Sequence, residues 1–178
     1  PGAGELPVVE ADEGECLLFA DGLRLDLGRR LLGICEARQW KATLDWRWAA
    51  LPTVTATAKP AVSPVAAALQ GGGIFPAEIV IASTAPRFRK LLADAGYECL
   101  DEALLGQGGR GWIEAGKIDQ IGHDVPDRLA AECARELEAL AERIGILLQS
   151  GWKSVRVVTD HGWLFLPGGL PKTDLPGC

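Results

Sequence analysis

The sequence predicts an α/β fold with a mostly parallel central sheet flanked by helices. Short apolar runs alternate with longer stretches of helical periodicity, as in folds built from strand–helix–strand units. One run, residues 15–20, ends at Asp21, which is typical of a buried parallel strand entering a turn. Another, Ser154–Val158, leads to Asp160 and His161. Because open α/β sheets bind ligands at the carboxyl ends of their strands, we expect a site at that edge.

The first half of the chain is expected to hold three strands and two helices. Residues 41–50 alternate as a strand does, with Trp46 and Trp48 on one face. Pro52 begins a threonine-rich loop, after which an alanine-rich helix follows. The expected elements are a strand over residues 15–20, a helix over Leu23–Arg38, a strand over residues 41–50, a helix over about Pro60–Gln70 and a strand over Glu78–Ile81.

The second half is expected to alternate in the same way. Its elements are a helix over residues 87–96, a short strand through Cys99, a short strand at Trp112-Ile113, a long helix over about Pro126–Gln149 and a strand over Ser154–Val158. Gly106–Gly111 formally matches a dinucleotide-binding glycine motif, but it leads into a strand and not a helix, so we reject that interpretation. The six tryptophans are expected to lie mostly in the core.

The composition fits one globular domain over residues 1–178, with 48% apolar residues. The chain lacks methionine, begins at Pro1 and ends at Cys178, so we expect a piece excised from a longer protein, with a truncated core. Five cysteines without Cys-x-x-Cys spacing indicate reduced thiols and a cytoplasmic location. No apolar run reaches the roughly 18 residues that span a bilayer. A net charge of -6 argues against a broad DNA-binding face.

The two histidines of the chain each lie beside an aspartate at a spacing that suits a metal ion. Asp160-His161 follows an apolar strand, and Asp119-x-x-x-His123 places two side chains one turn apart on a helix or across a tight loop. Imidazole and carboxylate are ligands of zinc and also serve manganese and iron. The alternative interpretations are a solvated strand-end aspartate with a core histidine, and a helix N-terminal acid with a surface histidine.

Further candidates lie near the first strand and in the threonine-rich loop. Asp21 is either a metal ligand or a turn residue. Thr53 and Thr55 offer nucleophilic hydroxyls, although such β-branched residues also mark ordinary strand ends. With the metal ligands, this set indicates a two-metal site beside a hydroxyl nucleophile, which is typical of phosphoryl chemistry. Arg24 and Lys59 are candidate phosphate-binding residues. The alternatives are that Arg24 pairs with Asp26 and that Lys59 is solvated.

Four motifs occur in the order that the alkaline phosphatase superfamily shows. They are Asp-Gly-Leu-Arg at residue 21, Pro-Thr-x-Thr at residue 52, Asp-x-x-x-His at residue 119 and Thr-Asp-His-Gly at residue 159. Together with Trp-Leu-Phe-Leu-Pro-Gly-Gly-Leu-Pro-Lys at residue 163, they resemble the PglZ domain of bacterial BREX-type phage defence. The resemblance extends from about Cys16 to Pro176 and implies an alkaline-phosphatase-like fold.

The resemblance also implies two divalent metal ions, zinc or manganese, and a threonine nucleophile. The implied ligands are Asp21, Asp160, His161 and the nucleophile for one metal, and Asp119 and His123 for the second. Thr55 matches the nucleophile, with Thr53 as second candidate. The family normally adds a further histidine near the C-terminus, and none follows His161, so that ligand is expected beyond Cys178 or the second site is incomplete. The implied reaction is in-line attack by threonine on phosphorus, followed by hydrolysis of phospho-threonine.

Two functions are consistent with these residues. The first is a metal-dependent phosphatase or phosphodiesterase in phage defence, whose substrate is a phosphate ester, with nucleotides and DNA among the candidates. The second is a non-catalytic, metal-stabilised scaffold that docks other phage-defence proteins through its acidic surface. A nearly complete ligand set favours the first, because a scaffold needs no nucleophile beside its metals.

Overall fold

The computed structural model describes residues 9–50, 53–69, 85–101, 103–106, 108–124 and 129–162. The strands in these ranges are β1 (Glu15–Phe19), β2 (Tyr97–Cys99), β3 (Arg110–Glu114) and β4 (Ser154–Val158). The helices are α1 (Leu25–Ala37), α2 (Thr55–Ala61), α3 (Ala66–Leu69), α4 (Ala85–Asp94), α5 (Ile118–Asp124) and α6 (Leu129–Gln149). Within the described ranges, no helix is long and apolar enough to cross a membrane.

The described strands form one parallel sheet in the order β2-β3-β1-β4. Glu15 of β1 lies opposite Arg110 of β3 on one side and opposite Ser154 of β4 on the other. All of β1 is buried, because strands flank it on both sides and apolar layers cover both of its faces. The predicted α/β fold with a parallel sheet flanked by helices is therefore confirmed, and so is the buried parallel strand before Asp21.

Alternate side chains of β1 enter two different apolar layers, because successive residues of a strand point to opposite faces of the sheet. Cys16 and Leu18 pack with the buried faces of α1 and α6. Leu17 and Phe19 pack with α4 and with apolar side chains around α3. Full burial of a leucine stabilises a fold by about 1.5–3 kcal/mol. Both layers hold the same strand, so the turn that follows it starts from a rigid support.

Most other predicted elements are confirmed within a few residues. The helix expected over Leu23–Arg38 is α1, the helix expected over residues 87–96 is α4, and the long helix expected to end at Gln149 is α6. The three short strands expected in the second half are β2, β3 and β4. The expected strand over residues 78–81 and the expected start of α6 at residue 126 lie outside the described residues.

The strand expected over residues 41–50 is wrong, because this segment has irregular backbone. Period-two alternation makes a strand only where a neighbouring strand takes up the backbone hydrogen bonds, and no strand of the described ranges lies beside the segment. Trp46 and Trp48 contact each other edge to face, with ring centroids 5.8 Å apart, and both are exposed. The expectation of a tryptophan core therefore holds for Trp112 and Trp152 and is wrong for this pair.

The helix expected over residues 60–70 is shorter and divided. α2 begins earlier, at Thr55, and ends at Ala61, while α3 begins at Ala66. The interruption lies at Ser63-Pro64, since proline lacks a backbone donor and disfavours the helical conformation of the residue before it. The Ser63 hydroxyl donates to the Pro60 carbonyl over 2.7 Å and closes the end of α2. As a result, the threonine-rich segment supplies a helix start and not a strand end.

Candidate metal centre

Three aspartates and a histidine reach the carboxyl edge of the sheet from different elements. Asp21 lies just beyond β1, and Asp160 and His161 follow β4. Asp119 lies in the first turn of α5, which follows β3. Because β1 is the parallel neighbour of both β3 and β4, the carboxyl ends of these strands lie side by side and bring the four side chains together.

Four oxygen-bearing side chains converge on one nitrogen atom, Nε2 of His161. This atom lies 3.0 Å from Thr55 Oγ1 and 3.3 Å from Asp21 Oδ1. Asp119 Oδ1 and Asp160 Oδ2 are each 3.7 Å from it. A ring nitrogen carries either one hydrogen or one lone pair, so it satisfies one of these partners at a time. Three carboxylates thus lie around a single imidazole nitrogen that can bond to only one of them at a time.

Asp160 is the most deeply buried member of the group. Its Oδ1 accepts hydrogen bonds from the backbone N–H of His161 at 2.9 Å and of Gly22 at 3.4 Å. Its Oδ2 is buried and accepts no hydrogen bond from the described residues. An unpartnered buried carboxylate oxygen is costly, so it indicates a ligand that completes the site.

The Thr55 hydroxyl enters the same cluster from α2. It donates to Asp21, whose oxygens Oδ1 and Oδ2 lie at 3.3 and 3.4 Å. The expected strand before Thr55 is wrong, but the first residue of α2 reaches the predicted edge of the sheet all the same. Thr53, the second candidate for the nucleophile, is exposed.

The electrostatics of Asp21 reflect the crowding of like charges. Burial, followed by repulsion from Asp160 and Asp119, raises the pKa of Asp21 to about 6. The charge of His161 and the hydrogen bond from Thr55 act in the opposite direction but are outweighed. Like charges held this close favour proton uptake or cation binding, because either relieves their repulsion.

The second predicted pair, Asp119 and His123, lies on α5. The two residues are four positions apart, and His123 Nε2 lies 3.5 Å from Asp119 Oδ2. The helical version of the predicted spacing is therefore confirmed. Asp119 extends its other oxygen towards His161, so its carboxylate lies between the two histidines. The His123 side chain is 69% exposed, whereas that of His161 is 10% exposed.

Arg24 lies beside the cluster and is paired with Asp26. Its Nε and NH2 groups each donate to the Asp26 carboxylate over 2.8 Å, which is a bidentate geometry. Its aliphatic stem crosses Gly162, where an added Cβ would clash with Arg24 Cγ and lie 3.3 Å from Arg24 Cα. Because residue 162, directly after His161, is a glycine, the Arg24 side chain has room to pack against it.

Lys59 is not solvated, so the simpler alternative for this residue is wrong. Its Nζ lies 2.7 Å from Glu114 Oε2, and its side chain is mostly buried. The ammonium also lies over the rings of Phe19 and Phe88, at 4.9 and 5.4 Å from their centroids. The sequence did not point to Glu114, since a charged residue at a strand end is usually solvated.

Thr159 is a further residue of the site that the sequence analysis did not assign. Its Oγ1 accepts the backbone N–H of Leu23 over 3.1 Å, and so ties the turn after β1 to the end of β4. Together with the bond from Gly22 to Asp160, this contact aligns Asp21 with His161. The available signal was the position of Thr159 directly before Asp160-His161, but a threonine at a strand end is common.

The donor set fits a divalent metal ion. Ligand atoms of Asp21, Asp119 and His161 all lie within 4.8 Å of one another, and Asp160 adds an unpartnered oxygen on the buried side. Imidazole and carboxylate are both ligands of zinc, and carboxylate also serves manganese. No histidine follows His161 in the sequence, so His123 and His161 are the two imidazoles that this chain offers to the site.

Comparison of the chain with protein-family models, with curated proteins and with solved structures gave no match. The fold, the geometry of the site and the order of the motifs are therefore the observations that bear on function.

Proposed function

We propose that this chain is a metal-dependent phosphohydrolase, a phosphatase or phosphodiesterase, with Thr55 as its nucleophile. The observation that carries the proposal is the convergence on His161 Nε2 of the Thr55 hydroxyl and three carboxylates, one of which has a buried oxygen without a partner. A cation among these groups would satisfy oxygens that a single imidazole nitrogen leaves unsatisfied.

A metal-free nucleophile–base pair explains the same residues less well. In a hydroxyl–histidine–carboxylate triad, the base contacts the nucleophile through one ring nitrogen and an orienting carboxylate through the other. Here Thr55 and the carboxylates of Asp21, Asp119 and Asp160 all lie on the Nε2 side of His161. Several carboxylates around one ring nitrogen are the arrangement expected where all of these groups bind the same metal ion.

The chain's residues divide between two proposed ions. Asp21, Asp160 and His161 would hold the first beside Thr55, and Asp119 and His123 would contribute to the second. Two zinc ions, with manganese as the alternative, would supply charge stabilisation at the phosphoryl group and lower the pKa of bound hydroxyl groups.

The residues around Thr55 account for the attack itself. Asp21 accepts the Thr55 hydrogen bond and directs the hydroxyl into the cluster. Transfer of the Thr55 hydroxyl proton to the Asp21 carboxylate would allow Oγ1 to bond to phosphorus, and the ester oxygen would take up that proton as its own bond to phosphorus breaks. Water then cleaves the phospho-threonine and returns a proton to Oγ1. Arg24, whose stem lies next to His161 at Gly162, is proposed to contact the phosphate by exchanging its exposed pairing with Asp26 for the phosphate oxygens.

The biological setting is proposed from the motif order. The resemblance to the PglZ domain supports a role in bacterial phage defence, with other defence proteins as partners and a phosphate ester, such as a nucleotide or DNA, as substrate. The free cysteines Cys16, Cys35, Cys99 and Cys133 are consistent with the cytoplasmic location expected from their spacing. The alternative is a non-catalytic scaffold, which would bind metal but cleave no phosphate ester.

The test combines metal binding with turnover. Metal-stripped protein is titrated calorimetrically with zinc and with manganese, and the loaded protein is assayed on p-nitrophenyl phosphate and bis-p-nitrophenyl phosphate. Thr55→Ala should bind metal and lose at least about a thousandfold in kcat, as loss of a nucleophile does elsewhere. Thr53→Ala is the matched comparison and should retain turnover. Metal binding without turnover of any ester by the wild-type protein would favour the scaffold.

A further inference from the structure

Lys59 occupies a position on α2 that connects it to the nucleophile. It lies four residues, about one helical turn, beyond Thr55, so the two side chains project from the same face of the helix. Thr55 lies in the candidate metal centre, whereas Lys59 extends to the ends of two sheet strands. Phe19 is the last residue of β1, and Glu114 is the last residue of β3. These strands precede Asp21 and Asp119, respectively.

The partners of Lys59 are themselves held in place. Glu114 Oε2 lies 2.7 Å from Lys59 Nζ, while Glu114 Oε1 accepts the indole N–H of Trp112 over 3.4 Å. The rings of Phe19 and Trp112 stack with centroids 5.8 Å apart, and Phe88 meets Trp112 edge to face at 5.6 Å. The ammonium therefore lies between a carboxylate and a packed aromatic group, which is a favourable cation–π arrangement.

Helix α2 depends on such tertiary contacts. It has seven residues, which is too short for a helix to be stable alone. Val54 at its N-cap makes no side-chain capping bond, and Pro60 lies in its last turn. Its buried alanines, Ala58 and Ala61, are small and form a separate cluster with Ala50. The ion pair of Lys59 with Glu114 and the contact of its ammonium with the Phe19 ring join this helix to the ends of β3 and β1.

We propose that Lys59 is a positioning residue that sets the location of the Thr55 hydroxyl by clamping α2 to the ends of β1 and β3. The inference rests on the proposed function of Thr55 as nucleophile. It differs from direct phosphate binding by Lys59, because the ammonium is already engaged with Glu114 and the two phenylalanine rings. A misplacement of about 1 Å in a reacting group can cost about a hundredfold in rate.

The test uses four variants of the full chain. Lys59→Met keeps the length of the side chain and removes its charge, Lys59→Arg keeps the charge, and Glu114→Gln removes the anchor. Lys90→Met is the matched control, since Lys90 pairs with Asp94 over 2.6 Å on the exposed surface of α4. We measure kcat and KM of the zinc-loaded proteins with bis-p-nitrophenyl phosphate, together with their melting temperatures.

A positioning role predicts the same kind of loss from both sides of the ion pair. Lys59→Met and Glu114→Gln should lower kcat by about 10–100-fold, with KM changed by less than about twofold because substrate binding is preserved. Lys59→Arg should restore most of kcat, and Lys90→Met should match the wild type.

Two results would overturn the proposal. A rise in KM for Lys59→Met, with Glu114→Gln equal to or better than the wild type, would mean that Lys59 binds phosphate directly. If kcat and melting temperature both fall in Lys59→Met, and Lys59→Arg restores neither of them, the residue only stabilises the fold.

A measurement on metal-free protein separates this proposal from the proposed function. The NMR methyl signal of Thr55, assigned by its disappearance in Thr55→Ser, should shift in Lys59→Met and Glu114→Gln and stay unchanged in Lys90→Met. If the signal shifts in a protein that cleaves no ester, Lys59 positions Thr55 but the chain is not a phosphohydrolase. If the signal does not shift and Lys59→Met and Glu114→Gln keep the kcat of an active wild type, the chain is a phosphohydrolase but Lys59 does not position Thr55.

Discussion

The two histidine–aspartate pairs look alike in the sequence and occupy different environments in the fold. Asp160-His161 follows a strand of the sheet, with Asp160 fully buried and His161 10% exposed. Asp119 and His123 lie on α5, where the His123 side chain is 69% exposed. Metal ligands held by buried backbone are preorganised, whereas an exposed histidine loses rotamer freedom when it binds. We therefore expect the first ion to bind more tightly than the second.

The pairs are nevertheless connected through one carboxylate. Asp119 directs Oδ1 towards His161 at 3.7 Å and Oδ2 towards His123 at 3.5 Å. Removal of Asp119 should therefore affect both ions, whereas removal of a residue at either end should affect one. Single substitutions at these residues test this difference.

Asp160→Asn should weaken the tighter zinc site by about 100-fold or more, since loss of a residue that only supports a metal ligand costs 10–100-fold. Calorimetric titration of metal-stripped protein measures the change, with Asp94→Asn on the surface of α4 as the control. The metal-free variant should melt no lower than the wild type, because the amide replaces a buried oxygen that has no described partner. Unchanged zinc affinity would remove Asp160 from the site.

Asp119→Asn should reduce the affinity for the first ion by about tenfold and abolish the stoichiometric binding of a second. The physical reason is that one carboxylate serves both histidines, and an amide provides a single, weaker acceptor oxygen. Zinc stoichiometry from the same titration provides the measurement. Loss of the second ion with full affinity for the first would show that Asp119 belongs to the α5 site alone.

His123→Ala should weaken the second ion by about tenfold and leave the first within about twofold. Its imidazole is far more exposed than that of His161, so little packing is lost with it. The comparison variant is His161→Ala, which should eliminate the tighter site. Equal effects of the two substitutions would contradict the distinction between the pairs.

The smallest effect concerns the pH dependence of the metal-free protein. The pKa of Asp21 is raised from 3.8 to about 6, so its contribution to stability is fully present below about pH 4 and is lost as the pH rises through 6. Asp21→Asn removes an ionised group that destabilises the fold above pH 6, by about 1 kcal/mol after solvent screening. The variant should therefore melt about 2–4 °C higher at pH 7.5.

The same comparison at pH 4 provides the control, because both side chains are then largely uncharged and the melting temperatures should agree. Saturating zinc should remove the advantage of the variant at pH 7.5, since the cation favours the ionised carboxylate of the wild type. A wild-type protein that is more stable than Asp21→Asn at pH 7.5 without metal would contradict the electrostatic account of this site.

The sequence by itself determined the fold class and the edge of the sheet at which the site lies. The apolar run before Asp21 is continuous, as a buried parallel strand requires, whereas Ser154 and Arg156 interrupt the run before Asp160-His161, which forms a partly exposed strand at the edge of the described sheet. In both cases the valine- and leucine-rich run and the polar residues after it show locally where the carboxyl end of the strand lies. The spacing of Asp119 and His123 likewise matched one helical turn. These features depend on short-range periodicity, which the order of residues contains directly.

Only the tertiary structure decided how the candidates are used. Residues 41–50 alternate like a strand, but no strand of the described ranges pairs with them, and Lys59 looks solvated until β3 places Glu114 beside it. The difference in burial between His161 and His123 also depends on which elements pack around each. Such contacts join residues far apart in the chain, so burial, charge pairing and pKa arise from packing and have no local signature.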